Sequence, residues 1–154
     1  MNVAVIGGSR VDESTYDTAS AVGRLLGERD HTVVCGGLTG VMEAVCRGAL
    51  EARADAETIG ILPGERRRDA NEWVTTPIAT GLGNARNALV ALNGDAVIAI
   101  DGSTGTLSEI GHALDFGRPV AGLGTHDVGL AGFEAVETPQ AAVEYIERAG
   151  SRSE

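Results

Sequence analysis

Short apolar runs alternate with segments of helical periodicity along the whole chain, and this alternation constrains the fold more than any other feature. Strands buried on both faces of a parallel sheet are continuously apolar, and the helices between them return the chain to the same end of the sheet. The pattern therefore predicts an α/β fold built from successive strand–helix–strand units.

The expected architecture is a doubly wound, Rossmann-like parallel sheet with helices on both faces, in one domain over residues 1–150 and a frayed tail over 151–154. Ser14 is the expected cap of the first helix, and Thr138 with Pro139 that of the last. The predicted strands are Val3–Ile6, Thr32–Cys35, Thr58–Leu62, Val74–Ala79, Ala96–Ile100, Val120–Leu123 and Glu134–Val136. The predicted helices are Ser14–Glu28, Gly40–Arg53, Asn84–Leu92, Thr106–Phe116 and Pro139–Ala149.

Charge and composition exclude several classes of function. The 154 residues carry a net charge of −10, which disfavours binding to a nucleic-acid backbone, so no nucleic-acid partner is expected. All 12 basic residues are arginines, which excludes Schiff-base chemistry and the lysine of a P-loop. No apolar run approaches a membrane span and no signal peptide is evident, so we expect a cytoplasmic protein without a membrane partner. The acidic, lysine-free composition fits either a halophile or a GC-rich genome.

Cysteines and histidines do not suggest a metal site. Cys35 and Cys46 are too few for a disulfide scaffold and lack zinc-ligand spacing, so we interpret them as core thiols. His31, His112 and His126 are scattered, and structural roles are expected for them. No metal is predicted.

Glycine is abundant, at 22 of 154 residues against a usual ~7%. The glycines cluster after predicted strands, which in a parallel sheet is the edge where ligands bind. They lie after strand one (Gly7, Gly8), strand two (Gly36, Gly37, Gly40), strand four (Gly81, Gly83) and strand five (Gly102, Gly105). One edge of the sheet is therefore predicted to let the backbone approach a ligand.

The segment from Asp101 to Thr106 joins a buried strand directly to a helix and is the strongest candidate site. Unpaired N–H groups at a helix start attract a phosphate, and glycines allow it to come close. Ser103, Thr104 and Thr106 add hydroxyl groups, and Glu109 follows one turn later on the face of Gly105 and Thr106. The alternative is a simple helix cap with Glu109 exposed.

Two further segments support a ligand site at the same edge of the sheet. Residues 35–43 repeat glycines before a helix, although a tight strand–helix turn is the alternative. Arg86 is predicted to start the helix after strand four, where a cation opposes the helix dipole unless an anion is near. In a doubly wound order strands four and five are expected to be neighbours, so Arg86 and Glu109 are predicted to face one pocket; the alternative is a surface arginine. Glu65–Asp69, with three arginines, is interpreted as a solvated loop rather than a ligand clamp.

Five stretches of the chain resemble the LOG (LONELY GUY, "lysine decarboxylase-like") nucleotide-binding family, and within it the small prokaryotic branch similar to molybdenum-cofactor carrier proteins. The signature P-G-G-x-G-T-x-x-E corresponds to residues 101–109, and Arg86 lies nine residues before Asp95. Asp101 replaces the signature proline and Ser103 its second glycine. The matching stretches are VAVIGGS (3–9), CGGLTGVMEAVCRGA (35–49), GILPG (60–64), TGLGNARN (80–87) and DGSTGTLSEIGHALDFGRPVAGL (101–123).

The resemblance implies a nucleoside 5′-monophosphate phosphoribohydrolase that releases free base and ribose 5-phosphate without a cofactor. Arg86 and Glu109 would be its catalytic residues, Glu109 binding the ribose or positioning water and Arg86 orienting the nucleotide. The implied ligand contacts are the phosphate turn (Gly102, Ser103, Thr104, Gly105, Thr106), a ribose side (Gly8, Ser9) and a base side (Gly36, Gly37, Met42), with Gly40 at the start of the second helix.

The alternative implied by the same resemblance is a carrier that binds a phosphorylated pterin (molybdopterin) or a nucleotide without cleaving it. Both functions predict a phosphorylated small molecule as the partner. A homodimer or higher homo-oligomer is also expected, because the predicted helix Asn84–Leu92 is apolar on most faces.

Overall fold

The structure is a computed structural model that describes residues 1–151, so all of the predicted tail except Ser151 lies outside the described residues. Seven strands and five α-helices alternate within this range. In chain order they are β1 (Asn2–Gly7), α1 (Glu13–Glu28), β2 (Thr32–Cys35), α2 (Val41–Ala52), β3 (Thr58–Leu62), β4 (Thr76–Ala79), α3 (Asn87–Leu92), β5 (Ala96–Ile100), α4 (Thr104–Asp115), β6 (Val120–Leu123), β7 (Phe133–Val136) and α5 (Pro139–Gly150). Short 3₁₀ turns lie at Arg67–Asp69 and Gly83–Arg86.

All seven strands are parallel and form one sheet in the order β4-β3-β2-β1-β5-β6-β7. The predicted α/β class and the parallel sheet are therefore confirmed. The prediction that strands four and five are neighbours is wrong. After β4 completes one edge, the chain crosses back and β5 pairs with the free side of β1. The direction of winding reverses between β1 and β5, which is where open parallel sheets leave a crevice for ligands.

Helices cover both faces of the sheet, as predicted. Helices α1, α2 and α5 lie on one face, where α1 contacts both of the others, and α3 and α4 lie on the other. The interior strand β5 is completely buried between these layers, and its side chains alternate between the two hydrophobic clusters.

The packing of α1 against α2 depends on glycines. A Cβ atom at Gly23 would overlap the Val45 carbonyl, and one at Gly48 would overlap the Ser20 carbonyl. The two helix backbones therefore approach more closely than any larger residue at these positions permits.

Several helix boundaries differ from the prediction. Asp12, not Ser14, caps α1, since its carboxylate accepts a hydrogen bond from the Thr15 amide at 2.8 Å. Thr138 caps α5 as predicted, through the Ala141 amide. The predicted helix over 84–92 divides into the 3₁₀ turn Gly83–Arg86 and α3, because the chain bends to bring Arg86 inward. Among residues 1–151, no helix is long and apolar enough to cross a membrane.

We predict that Gly48→Ala lowers the free energy of unfolding by about 1–3 kcal/mol, because the added methyl group overpacks the contact between α1 and α2. Gly111→Ala is the matched control. Gly111 also lies within a helix, but its Cβ would meet open space, so this change should stabilise by about 0.5–1 kcal/mol. Urea denaturation of both variants measures the difference; equal effects of the two substitutions would contradict the close-packing interpretation.

Candidate functional site

A cavity of about 220 Å³ opens at the carboxyl ends of β1 and β2, beside the first turn of α4. We call it the turn cavity. Its position next to the boundary between β1 and β5 is the one expected for a ligand site in this topology. The lining residues are Val5, Ile6, Gly7, Gly8, Ser9, Gly36, Leu38, Met42, Asn84, Arg86, Ser103, Gly105, Thr106 and Glu109.

The helices that begin at the turn cavity lack side-chain caps. Helix α2 starts at Gly40 and α4 at Ser103, and neither residue makes a side-chain hydrogen bond to the first turn. By contrast, α1 and α5 begin away from this cavity and are both capped by a side chain. The first turn of α4 therefore leaves N–H groups and the positive end of the helix dipole available to an anion. In α2 the first amide, that of Val41, already donates to the Gly8 carbonyl at 3.0 Å. The turn cavity is therefore the part of this sheet edge suited to a phosphate.

The turn between β5 and α4 has an unusual backbone. Gly102 adopts φ +99°, and a Cβ atom there would overlap the Thr106 hydroxyl, so this position requires glycine. Asp101 before it has φ +52°, which non-glycine residues seldom adopt. The loop after β6 holds the turn: the Thr125 hydroxyl donates to the Asp101 carbonyl at 2.6 Å, and His126 Nε2 lies 3.0 Å from the Ser103 carbonyl.

Arg86 is buried, with only 7% of its surface exposed, so it is not a surface arginine. Its Nε donates to the Ile61 carbonyl at 2.9 Å, its Nη2 to the Gly36 carbonyl at 3.4 Å, and its Nη1 to the Asn87 side chain. Burial lowers the pKa of the guanidinium group, while the charge of Glu109 acts in the opposite direction. These bonds join β3 to the loop after β2 and hold one positive charge at the cavity wall.

Glu109 faces the same cavity from the second turn of α4. Burial raises its pKa to about 7, against the opposing effect of Arg86. No hydrogen bond to its carboxylate is formed by any of residues 1–151. An acid with these properties exchanges a proton near neutral pH and is open to a ligand.

The structure thus brings Arg86 and Glu109 to one cavity although β4 and β5 are not neighbours. They meet because the 3₁₀ turn and α3 cross the sheet to reach β1. Helix α4 begins after β5, the strand that pairs with β1.

Most of the predicted contact residues line the turn cavity, and four do not. Gly37 packs on Gly60 and Leu62, Gly40 lies against the backbone of Gly8 and Ser9, Gly102 shapes the turn, and Thr104 is exposed. The predicted residues that line the cavity are Gly8, Ser9, Gly36, Met42, Arg86, Ser103, Gly105, Thr106 and Glu109. Which of them contact a ligand stays a prediction.

Sequence reasoning missed Leu38, Asn84 and the end of β1 among the lining residues. Asn84 lies in the GLGNARN stretch that drew attention to Arg86, so its proximity in sequence was an available signal. Asn87 also lies close, 3.7 Å from where a Cβ atom on Gly105 would stand.

The remaining chemical candidates do not line the turn cavity. Cys35 and Cys46 are free, buried thiols with their sulfur atoms 3.5 Å apart. His31 contacts Glu147 at 2.9 Å. The arginine-rich loop Glu65–Asp69 is exposed, and within residues 1–151 no group of three or more His, Cys, Asp or Glu side chains is arranged to hold a metal ion.

The fold is that of a Rossmann-like α/β protein, with the turn cavity at the carboxyl ends of its strands. The chain belongs to the SLOG cluster4 family, whose profile matches residues 1–150. This confirms the resemblance to LOG-like proteins inferred from the motifs. An uncharacterised protein of Archaeoglobus fulgidus is 41% identical over 146 residues, which cover 94% of this chain and 93% of that protein.

The solved structures of similar proteins include two proteins that are named for the molybdenum cofactor (Moco). The molybdenum cofactor binding protein from the phototrophic bacterium Rippkaea orientalis matches with a TM-score of 0.88 at 31% identity, covering 96% of this chain and 95% of that one. The Moco carrier protein from Chlamydomonas reinhardtii matches with a TM-score of 0.88 at 27% identity, covering 98% of each chain.

We predict that Glu109→Gln changes how stability depends on pH. With a folded pKa of about 7 against an ordinary 4.5, the folded protein keeps a proton that the unfolded chain has released. The contribution of this carboxyl group to the free energy of unfolding is greatest below about pH 4.5 and is lost as the pH rises through about 7. Glu109→Gln should therefore remove part of the decline in the free energy of unfolding across this window.

Denaturation at a series of pH values, comparing wild type with the variant, measures the effect. Glu57→Gln, at an exposed carboxylate, is the matched control and should leave the profile unchanged. Parallel profiles for wild type and Glu109→Gln would show that the carboxyl group titrates normally.

Proposed function

We propose that this protein binds and carries a phosphorylated pterin of the molybdenum-cofactor class, with the phosphate held in the turn cavity. The observation that carries the proposal is the uncapped start of α4 at the boundary between β1 and β5, in a chain whose structural relatives include molybdenum cofactor binding and carrier proteins. The cytoplasmic location and the absence of a nucleic-acid partner, expected from the sequence, remain part of this proposal.

The phosphate would lie against the first turn of α4. The amides there, together with the hydroxyl groups of Ser103 and Thr106, supply hydrogen-bond donors. Arg86 supplies a positive charge whose position is fixed by the Ile61 and Gly36 carbonyls. Because its side chain is already held by three hydrogen bonds, Arg86 would contribute charge without paying further side-chain entropy on binding.

A size argument indicates how the rest of the ligand lies. At about 220 Å³ the turn cavity is below the ~300–1,000 Å³ typical of sites that enclose a whole small molecule. It accommodates a phosphate and the atoms next to it, so a ring system attached to that phosphate would extend beyond the cavity. A carrier must release its cargo to a recipient, and partial enclosure is compatible with that requirement.

The second candidate function is the phosphoribohydrolase, and Glu109 is the observation that favours it. A carboxyl group with a pKa of about 7, facing the cavity beside Arg86, has the properties of a general acid or base. In this mechanism Glu109 would contact the ribose or a water molecule as positive charge develops at the anomeric carbon, and no metal or cofactor would be needed. The two functions share the phosphate site and differ in whether the glycosidic bond breaks.

We predict that Gly105→Val weakens binding of inorganic phosphate and of nucleoside 5′-monophosphates by at least about tenfold. Gly105 lines the cavity in the first turn of α4, and the branched side chain would occupy the space of the ligand. Gly111→Val, in the same helix but with open space around its Cβ, controls for the lower helix propensity of valine. Calorimetric titration measures both affinities, and equal binding by the two variants would exclude this turn as the phosphate site.

Two assays separate the carrier from the hydrolase. Protein purified from cells that make the molybdenum cofactor should release a fluorescent oxidised pterin on acid treatment, and Gly105→Val should release much less. Incubation with a panel of nucleoside monophosphates, followed by chromatography for free base, tests hydrolysis. Base release that falls by at least about a hundredfold in Glu109→Gln would establish the hydrolase instead; absence of both pterin and base release would contradict both functions.

We further propose that the protein forms a homodimer through the apolar surface formed by β3, β4 and the neighbouring helix α3. Large apolar side chains are exposed there and nearby: Ile78 (44%), Leu82 (53%) and Leu92 (44%). A groove beside them is lined mainly by Ile59, Ile61, Ile78 and Leu89. Exposed apolar clusters of this kind mark association surfaces. A second copy of the same edge is the occupant we infer, because a twofold axis pairs one apolar patch with itself.

Light scattering after size exclusion tests the assembly. We expect a dimer for wild type and a monomer for Ile78→Glu, since the buried charge would oppose association. Glu28→Arg, at an exposed position on α1 across the sheet from α3, should remain dimeric. A wild-type monomer at both low and multimolar KCl would contradict the proposal.

A further inference from the structure

A second cavity, of about 410 Å³, lies at the carboxyl ends of β5, β6 and β7. We call it the β6 cavity. It is separate from the turn cavity, but the two adjoin: Asp101 lines the β6 cavity, and two residues later Ser103 lines the turn cavity. Thr15, Thr18 and Thr125 also line it; the Thr18 hydroxyl donates to the Ser14 carbonyl and the Thr125 hydroxyl to the Asp101 carbonyl.

The β6 cavity is unsuited to anions. The two helices that begin beside it, α1 and α5, both have side-chain caps, so the Thr15 and Ala141 amides of their first turns already have acceptors. Asp101 and Glu137 place two carboxylates in its wall, and no arginine lines it. A phosphate would meet repulsion here, in contrast to the turn cavity with its uncapped helix and Arg86.

Asp101 is the acceptor that a ligand in this cavity would meet. It is partly buried, whereas Glu137 is exposed. No hydrogen bond to the Asp101 carboxylate is formed by any of residues 1–151, although its carbonyl is held by Thr125. The left-handed backbone of Asp101 fixes where this acceptor stands, at a cost that a structural turn with glycine would avoid.

Apolar surface completes the cavity. Leu123, Val136 and the ring of Phe133 contribute to its walls, and glycine at 122 lets the Phe133 ring lie directly over the β6 backbone. A ligand that fits must therefore offer a flat apolar face together with N–H donors for a carboxylate, and it must carry no negative charge at that end.

We propose that the β6 cavity is a binding subsite for a neutral heterocycle bearing an exocyclic amino group next to a ring N–H, with the Asp101 carboxylate as the acceptor that determines specificity. The subsite is defined by its own residues and does not depend on phosphate binding in the turn cavity. Asp101 acts by contact with the ligand and has no part in bond cleavage.

Guanosine and inosine form the matched pair of probes, because they differ only in the exocyclic amino group and neither carries a phosphate. We expect wild-type protein to bind guanosine at least about tenfold more tightly than inosine, as expected for a hydrogen bond to a charged acceptor. Titrations followed by calorimetry or by backbone amide shifts measure the ratio. Shifts should concentrate at Thr15, Thr18 and Thr125.

Asp101→Asn should reduce the guanosine preference to near unity. Asparagine keeps the shape of the side chain and tolerates the left-handed backbone, so the fold is expected to survive. Glu134→Gln, an exposed acid on β7 outside the cavity, is the matched control and should retain the preference. Circular dichroism and thermal unfolding of both variants verify folding.

Three results would overturn the proposal. They are equal affinity for guanosine and inosine in wild type, a preference that persists in Asp101→Asn, and a preference lost in Glu109→Gln instead, which would place the heterocycle in the turn cavity. Phosphate titration of the same samples keeps this test separate from that of the proposed function. Loss of phosphate binding with an intact guanosine preference would contradict only the phosphate site.

Discussion

The pairing of β1 on both sides is the interaction on which the rest of this structure depends. β1 forms parallel ladders with β2 and with β5, so it joins the half of the sheet that ends at β4 to the half that ends at β7. The reversal of winding at this strand leaves the space beside its carboxyl end uncovered by a crossing helix. Both the turn cavity and the conformation of the segment after β5 follow from that arrangement.

Helix capping divides the ligand edge of the sheet into two chemically different regions. Where a side chain such as Asp12 or Thr138 accepts from the first turn, one amide is already bonded, and the cavity next to these helices is lined by carboxylates and by no arginine. Where an unengaged serine begins the helix, as at Ser103, the first-turn amides remain available. The difference is local, and in the proposals above it distinguishes the cavity for a phosphate from the cavity for a neutral ring.

The strands, the parallel sheet and the position of the helices could be predicted from the sequence, because continuous apolar runs and helical periodicity are local signals. The neighbour of β5 could not, since strand order depends on contacts between segments far apart in sequence. Asp12 was overlooked as a cap because Ser14 is an equally good residue type two positions later.

The residues of the candidate site show the same limit. The residue type of Arg86 suggested a nearby anion, but only the folded chain shows that the Ile61 and Gly36 carbonyls hold its buried side chain. The raised pKa of Glu109 likewise depends on burial among α4, β1 and the loop after β2. The β6 cavity could not be predicted from the sequence, because Thr15, Thr18 and Glu137 are residue types that commonly occur at helix starts and strand ends.

The strand order also has a consequence for how the chain reaches its native state. Strands β1 to β4 are consecutive in sequence and consecutive in space, so their contacts are comparatively local, whereas β5 must close a loop over the whole preceding half to find β1. Long loop closure is slow relative to local pairing. The turn cavity takes Gly36 and Met42 from the early half and Ser103 and Glu109 from the late half, so it exists only once both halves have joined. A ligand that binds there would stabilise only the state in which the two halves of the sheet are docked on each other.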